Sequence, residues 1–362
     1  MRLLHTIILT ALLGSSTAVA QQTKLLSGDK TNDYGVVYSL PKTELVVDVE
    51  CVVTKRVPGP YREYAKRYLG AEAPIKEHSS SVELSDVEMW TNGVASEPKY
   101  LFQMKVGAIA SVCVSNDGML RGINTDVETK TYSVLSQPAN QTPPDMNEYL
   151  RYVDADYLAS LSSAKRAQLL AQTIMEIRQS RLSLARGTAE TMPTDGRQLE
   201  LMLESLEKQE NALMRAFYGC EYSTTQVQRY RCLPDSATIM DGQSVVLFRL
   251  SELTGFCQGD DYTGEPVYLT FKSVQTPEVP LDIKGDPKAM PKNAVVYCIP
   301  GTAAVSLSYK GNIVGSPEQF NFAQTGITYG LDPKLFTDKK TPSMATFDAA
   351  TGALQEIVEI SK

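Results

Sequence analysis

The chain has 362 residues and a formal charge of −7, from 35 Lys and Arg against 42 Asp and Glu. Apolar residues make up 43% and charged residues 21%, which suits a chain with an ordinary core and excludes a disordered tail. The acidic balance argues against nucleic acid as a partner, and with His5 and His78 the only histidines, no two-histidine metal site is possible beyond the first 20 residues.

Residues 1–20 read as a removable signal peptide. Arg2 precedes an apolar run over 3–13, and Ala18-Val19-Ala20 supplies the small-residue cleavage pattern before Gln21. The run is too short to remain as a membrane anchor, and no later stretch approaches 18 consecutive apolar residues. The expectation is an exported protein with no transmembrane segment. All six cysteines (Cys51, Cys113, Cys220, Cys232, Cys257 and Cys298) follow the signal, an even number compatible with an oxidising compartment. Cys220 and Cys232 are closest in sequence and could close a short hairpin as a disulfide. No C-x-x-C motif is present, so staples or buried apolar cysteines are favoured over zinc or a redox centre.

Valine-rich segments at 36–41 and 44–53 predict strands. Pro58-Gly59 interrupts them, and Pro60 opens a short helix ending at Leu69 before Gly70. Tyr61, Tyr64 and Tyr68 share one face of it, suited to docking against a sheet or, alternatively, to stacking on sugar rings. Alternation continues over 82–90, 100–104 and 109–114, and Asn116-Asp117-Gly118 predicts a turn into 119–123. Residues 21–135 are therefore expected to form an N-terminal β domain with a short Tyr-rich helix. Residues 136–159 read as a linker, with Pro138, Pro143 and Pro144 at its start. The sequon Asn140-Gln141-Thr142 within it has meaning only in a eukaryotic product.

Residues 160–219 carry two helical patterns. Ala167, Leu170, Ala171, Ile174 and Ile177 share one face, and Gly187 stands where a C-cap glycine belongs. The second pattern starts at Asp195 and Gln198, spaced as in a capping box, and carries Leu199, Leu203, Leu206, Leu213 and Phe217 to Gly219. The short Met192-Pro193-Thr194 connection predicts an antiparallel αα-hairpin. Glu210 falls on the apolar stripe and needs a partner near its edge. Residues 220–362 return to short strands, clearest at 245–250, 267–271, 295–299, 305–309 and 345–347, and predict a C-terminal β domain of sandwich type. The fold class expected is α+β, with two mostly antiparallel, sandwich-like β domains flanking a central αα-hairpin.

The two β regions echo each other. Val36-Val37-Tyr38-Ser39-Leu40-Pro41-Lys42-Thr43 and Val295-Val296-Tyr297-Cys298-Ile299-Pro300-Gly301-Thr302 share five identities in eight, and a G-x-L-x-x-I pattern recurs in the same order at Gly118–Ile123 and Gly352–Ile357. This supports a duplication hypothesis, under which Tyr38 and Tyr297 should fall on equivalent strands.

The V-V-Y-S-L-P-K-T start, the P-Y-R-E-Y-A-K-R-Y-L-G helix, the M-P-T-D-G turn with E-K-Q-E-N-A-L-M-R-A-F-Y-G, and the F-D-A-A-T-G-A-L ending resemble an exported Bacteroidetes family described only as a domain of unknown function. The likeness spans nearly the whole chain after the signal and brings no catalytic residues with it. It implies an extracytoplasmic place in a Gram-negative cell envelope, in the periplasm or associated with the outer membrane. In that setting Asp235-Ser236-Ala237 resembles an O-glycosylation acceptor at Ser236, with an ordinary turn as the alternative.

Motifs for enzymatic chemistry are scarce. His78 lies in a polar loop before a strand, and there is no G-x-S-x-G elbow, phosphate loop or dinucleotide fingerprint, so no cofactor is expected. The acidic loop containing Asp260, Asp261, Tyr262 and Glu265 is the candidate ligand-binding segment, with calcium binding, a catalytic acid and a solvated turn as its readings. The expected function is non-catalytic interaction with an envelope protein or glycan. One alternative is a carboxylate-dependent polysaccharide hydrolase, requiring two acids about 5 to 9.5 Å apart in a groove lined by tyrosine or Trp90. Another is an accessory subunit of an outer-membrane assembly, marked by an exposed apolar stripe on the hairpin.

Overall fold

The computed structural model describes residues 35–70, 73–103, 111–127, 136–139, 142–193, 195–258, 261–338 and 340–360. The expected signal peptide, Asn140 and Gln141 of the sequon, and Asp260 lie outside them. The fold is mostly antiparallel β in several sheets, one curled into a half-barrel, with a smaller helical part.

The first sheet places β1 (Gly35–Val57) between β2 (Ser79–Gln103) and β5 (Cys220–Cys232), antiparallel to both. Alternation explains the arrangement. Leu45, Val47, Val49, Cys51 and Val53 are buried on one side of β1, while Asp48, Glu50 and Thr54 alternate with them and face the other way. The second sheet has the order β10 (Asn312–Leu331), β9 (Val295–Tyr309), β8 (Glu265–Gln275), β6 (Ser244–Ser251) and β7 (Gly255–Phe256). Its Leu250, Leu269, Phe271, Val305, Leu307 and Phe322 join the apolar row of β1 in one core. The third sheet runs β12 (Leu354–Glu359), β11 (Ser343–Phe347), β4 (Leu120–Ile123) and β3 (Val112–Val114). Beside it Tyr38, Phe102 and Ile123 pack with Val295, Phe336 and Phe347. Strands from before and after the helices thus mix: β5 lies on β1, β11 lies on β4, and each of these two cores draws on both β regions. The segments 21–135 and 220–362, distinct along the sequence, share sheets in space.

The echo in the sequence has a counterpart in strand register. Val36, Val37 and Tyr38 face Phe102, Leu101 and Tyr100, while Val295, Val296 and Tyr297 face Leu331, Gly330 and Tyr329. Ser39 forms a parallel bridge to Met119, its N–H donating to Gly118 O at 2.9 Å, and Cys298 forms one to Ala353, donating to Gly352 O at 3.1 Å. Both glycines have positive φ, 79° and 71°, which the turn requires. Val112 and Cys113 pair with Ile123 and Gly122 before the register shifts, as Ala345 and Thr346 pair with Ile357 and Glu356 before a shift at the same place.

Among the described residues the α-helices are α1 (Ala65–Leu69), α2 (Ala155–Ala159), α3 (Ser163–Arg186), α4 (Gly196–Tyr218) and α5 (Lys334–Thr337). Ser162 caps α3 by accepting from Lys165 N–H, and Gly187 ends it at φ 68°. At the start of α4 the side chain of Asp195 makes no cap bond. Its carbonyl instead takes the Leu199 N–H at 3.1 Å, so the spacing of a capping box is present without its reciprocal bonds. α3 and α4 lie side by side, and Glu210 of α4 accepts from Arg178 at 2.7 Å and Arg181 at 2.6 Å of α3. Burial raises the Glu210 carboxyl pKa, but the two guanidiniums outweigh it and hold the group below its ordinary value. Stability from this group is present above the unfolded pKa of about 4.3 and is lost as pH falls through the lower folded value. Thermal melts of the wild type should therefore fall in acid by more than those of Glu210→Gln, and parallel pH profiles would remove this role.

Candidate binding surfaces

The acidic loop before β8 is built as a turn. Asp261 Oδ1 accepts from Thr263 N at 2.9 Å and Thr263 Oγ1 at 2.5 Å, and these bonds hold its carboxyl below the usual range. Tyr262 is 75% exposed and lies against the Arg249 guanidinium, 5.3 Å from the ring centre, while Arg249 Nη1 donates to Gly264 O at 3.0 Å. Glu265 starts β8 opposite Leu250. Asp261, Tyr262 and Glu265 therefore share one surface turn whose described carboxylate bonds serve the turn itself. Among the described residues no three His, Cys, Asp or Glu side chains are placed to share a metal ion.

The pairing of Cys220 with Cys232 needs correction. They begin and end the single 13-residue strand β5. An extended strand of that length holds them about 40 Å apart at roughly 3.3 Å per residue, against the 4.4–6.8 Å or so between Cα atoms that a disulfide allows. The polar stretch between them is no hairpin but one strand, pairing with β1 from Val57 to Leu45. All six cysteines are free thiols, and burial pushes Cys51 and Cys298 up to about 11.

Ser236 is exposed in a turn closed by Asp235, whose Oδ1 accepts from Thr238 N at 2.7 Å and Thr238 Oγ1 at 2.6 Å. His78 is exposed in its loop. The tyrosine face of the short helix docks against helices and not a sheet. Tyr61 N–H donates to Ala216 O at the end of α4, its ring lies 6.0 Å from Phe217, and its hydroxyl is 2.6 Å from that of Tyr157. Burial pushes the Tyr157 phenol well above its ordinary value. The local reason is Gly59, where a Cβ would sit 2.4 Å from Ala216 O, so the backbone before α1 lies directly on the last turn of α4.

That aromatic cluster anchors only one end of the helix pair. Leu213 and Phe217 are fully buried, yet Leu199, Leu203 and Leu206 are half-buried and Leu201 is 51% exposed. The far end holds a groove of about 590 Å³ between the last turns of α3, the connection and the first turns of α4. Leu184, Met202 and Leu206 supply its apolar surface, and Ser180, Ser183 and Ser205 its hydroxyls. A smaller depression of about 350 Å³ on the opposite face of α4 is lined by Glu148, Glu204, Glu207, Lys208, Asn211 and Arg215. A second group has no signature in the sequence. Arg229 of β5 forks onto Asp48 of β1 with two bonds of 2.7 Å, and its guanidinium lies 4.8 Å from the Trp90 ring centre of β2. The alternating polar residues of β1 hint at this face, but Asp48, Trp90 and Arg229 meet only through the register of three strands remote in sequence.

No curated protein and no solved structure matches the chain. The family model for the domain of unknown function DUF4831 matches residues 34–355, nearly all of the chain beyond its first 20 residues, and the chain belongs to that family.

Proposed function

We propose that this is a non-catalytic, exported interaction protein of a Gram-negative cell envelope, in which a β body holds out a helical arm to a protein partner. The body is read as two copies of one β unit, stacked as a sandwich where β1 and its neighbours face the second sheet. The matched pairings around Tyr38 and Tyr297 support the repeat. The observation that carries the functional reading is the groove at the free end of the arm, where α4 leaves apolar side chains partly uncovered beside Glu190. This suits a partner segment with an apolar anchor and a basic residue beside it. The Asp261 turn, by contrast, spends its carboxylate on Thr263.

A photo-crosslinker at Met202 in cells should capture one envelope protein, and the purified pair should bind. Leu206→Asp should weaken that binding at least tenfold, about 1.4 kcal/mol, while Asp261→Asn leaves it unchanged. Equal affinity for Leu206→Asp and wild type would rule out the arm as the contact.

A further inference from the structure

The third sheet contains a junction that the molecule can repeat with another copy of itself. Across its four strands one row reads Val112, Ile123, Ala345, Ile357 and the next reads Cys113, Gly122, Thr346, Glu356. β3 with β4 therefore matches β11 with β12, register shift included, and the inner contact joins β4 of the first pair to β11 of the second. β12 stands in the second pair where β4 stands in the first, and β3 stands where β11 does. Among the described residues no strand pairs with the outer edge of β12 or of β3.

The direction of the backbone groups follows from the alternation of antiparallel ladders. Asn124 N–H donates to Ser111 O at 2.8 Å, while Ser111 N–H donates to Asn124 Oδ1 at 3.1 Å; by the alternation Cys113–Gly122 is then a bonded pair, and the N–H and C=O of Val112 point to the free edge. Ile360 N–H donates to Pro342 O at 2.8 Å, so Thr346–Glu356 exchange bonds, and the N–H and C=O of Ile357 point to the opposite free edge. The same alternation turns Ile123 towards Ala345, the pair that makes the inner junction. The two free edges thus carry donors and acceptors at the positions that already meet inside the molecule. β12 is exposed from Gln355 to Glu359, with Ile357 and Val358 each 40% accessible, and Val114 of β3 is 38% accessible.

We propose that copies of this chain associate head to tail by strand addition, β12 of one copy pairing antiparallel with β3 of the next, with Ile357 opposite Val112. The contact is heterologous, so it leaves a free edge at each end of a growing assembly. Glu356 and Glu359 on the exposed edge keep the association weak and concentration-dependent. The proposal rests on the matched registers and not on the arm, so its failure leaves the partner reading intact.

Proline at either outward-facing position removes one edge donor without touching a ladder bond inside the sheet. Sedimentation velocity of the full chain from micromolar to millimolar concentration should show a mass that rises with concentration. Ile357→Pro and Val112→Pro should each remain monomeric. Mixed in equal amounts they should form a dimer and nothing larger, because each retains the edge that the other has lost. This mixing also reports that both variants are folded. In the wild type, association should protect the Ile357 and Val112 amides from hydrogen exchange. A wild type that stays monomeric throughout, a Val112→Pro variant that still dimerises alone, or folded variants that do not pair on mixing would each overturn the proposal.

Discussion

Tyr38→Phe is expected to destabilise the protein by about 2–4 kcal/mol, although it deletes a single oxygen. The ring is 1% exposed, and its hydroxyl donates to Val296 O at 3.0 Å and accepts from Val296 N–H at 2.7 Å. Phenylalanine keeps the packing but leaves a buried donor and a buried acceptor unpaired, each costing about 1–3 kcal/mol. Because these bonds join residues 258 positions apart, the loss should appear in one cooperative unfolding transition, as a lower urea midpoint with an unchanged slope. Tyr262→Phe is the surface control, expected within about 0.5 kcal/mol of wild type. Equal midpoints for Tyr38→Phe and that control would show that the hydroxyl contributes nothing.

Phe322→Ala should cost more, about 3–5 kcal/mol, a large part of the total stability of an ordinary domain. The ring is fully buried in the core shared by β1 and the second sheet, edge-on to Phe271 at 5.8 Å. It also lies at a break in the β9–β10 register that brings the next two residues onto β1. Ala323 N–H donates to Thr43 Oγ1 at 3.0 Å, Thr43 Oγ1 donates to Ala350 O at 3.0 Å, and the Gln324 amide brackets the Thr43 backbone with bonds of 3.0 and 2.7 Å. A cavity there loosens a bulge that fastens β1, β10 and the turn before β12 together. Calorimetry should show a single transition at a much lower temperature. Two separate transitions, with the residues 35–57 strand melting unchanged, would contradict a shared core.

Several elements are legible in the sequence because their periods are local, whereas β10 (Asn312–Leu331) is not among the strands expected and β1 is expected in two pieces. Alternation in β1 and the leucine steps of α4 fall where the residue pattern predicts them, and Glu210 has the cationic partners its place on an apolar stripe demands. What joins those elements is not legible. The stretch from Cys220 to Cys232 has the composition of a polar loop, and only its position beside β1 makes it a strand, which is why the cysteine pairing fails. Tyr61, Tyr64 and Tyr68 show one face but not what that face meets. Asp48 and Arg229 are 181 residues apart, and no short motif announces such a pair. The echo is visible as five identical residues, but the matched registers beside it depend on backbone pairing, which no short motif announces.

The first strand binds late. β2 follows it closely in the chain, but its deepest side-chain bonds reach Val296 and Ala350, 258 and 307 residues downstream, so a ribosome finishes most of the chain before the cores around β1 can close. Folding with such distant closures is slow, and it is completed only when the last segments are available. Trimming the C-terminal strands should therefore leave Tyr38 and Thr43 without these partners and both cores open.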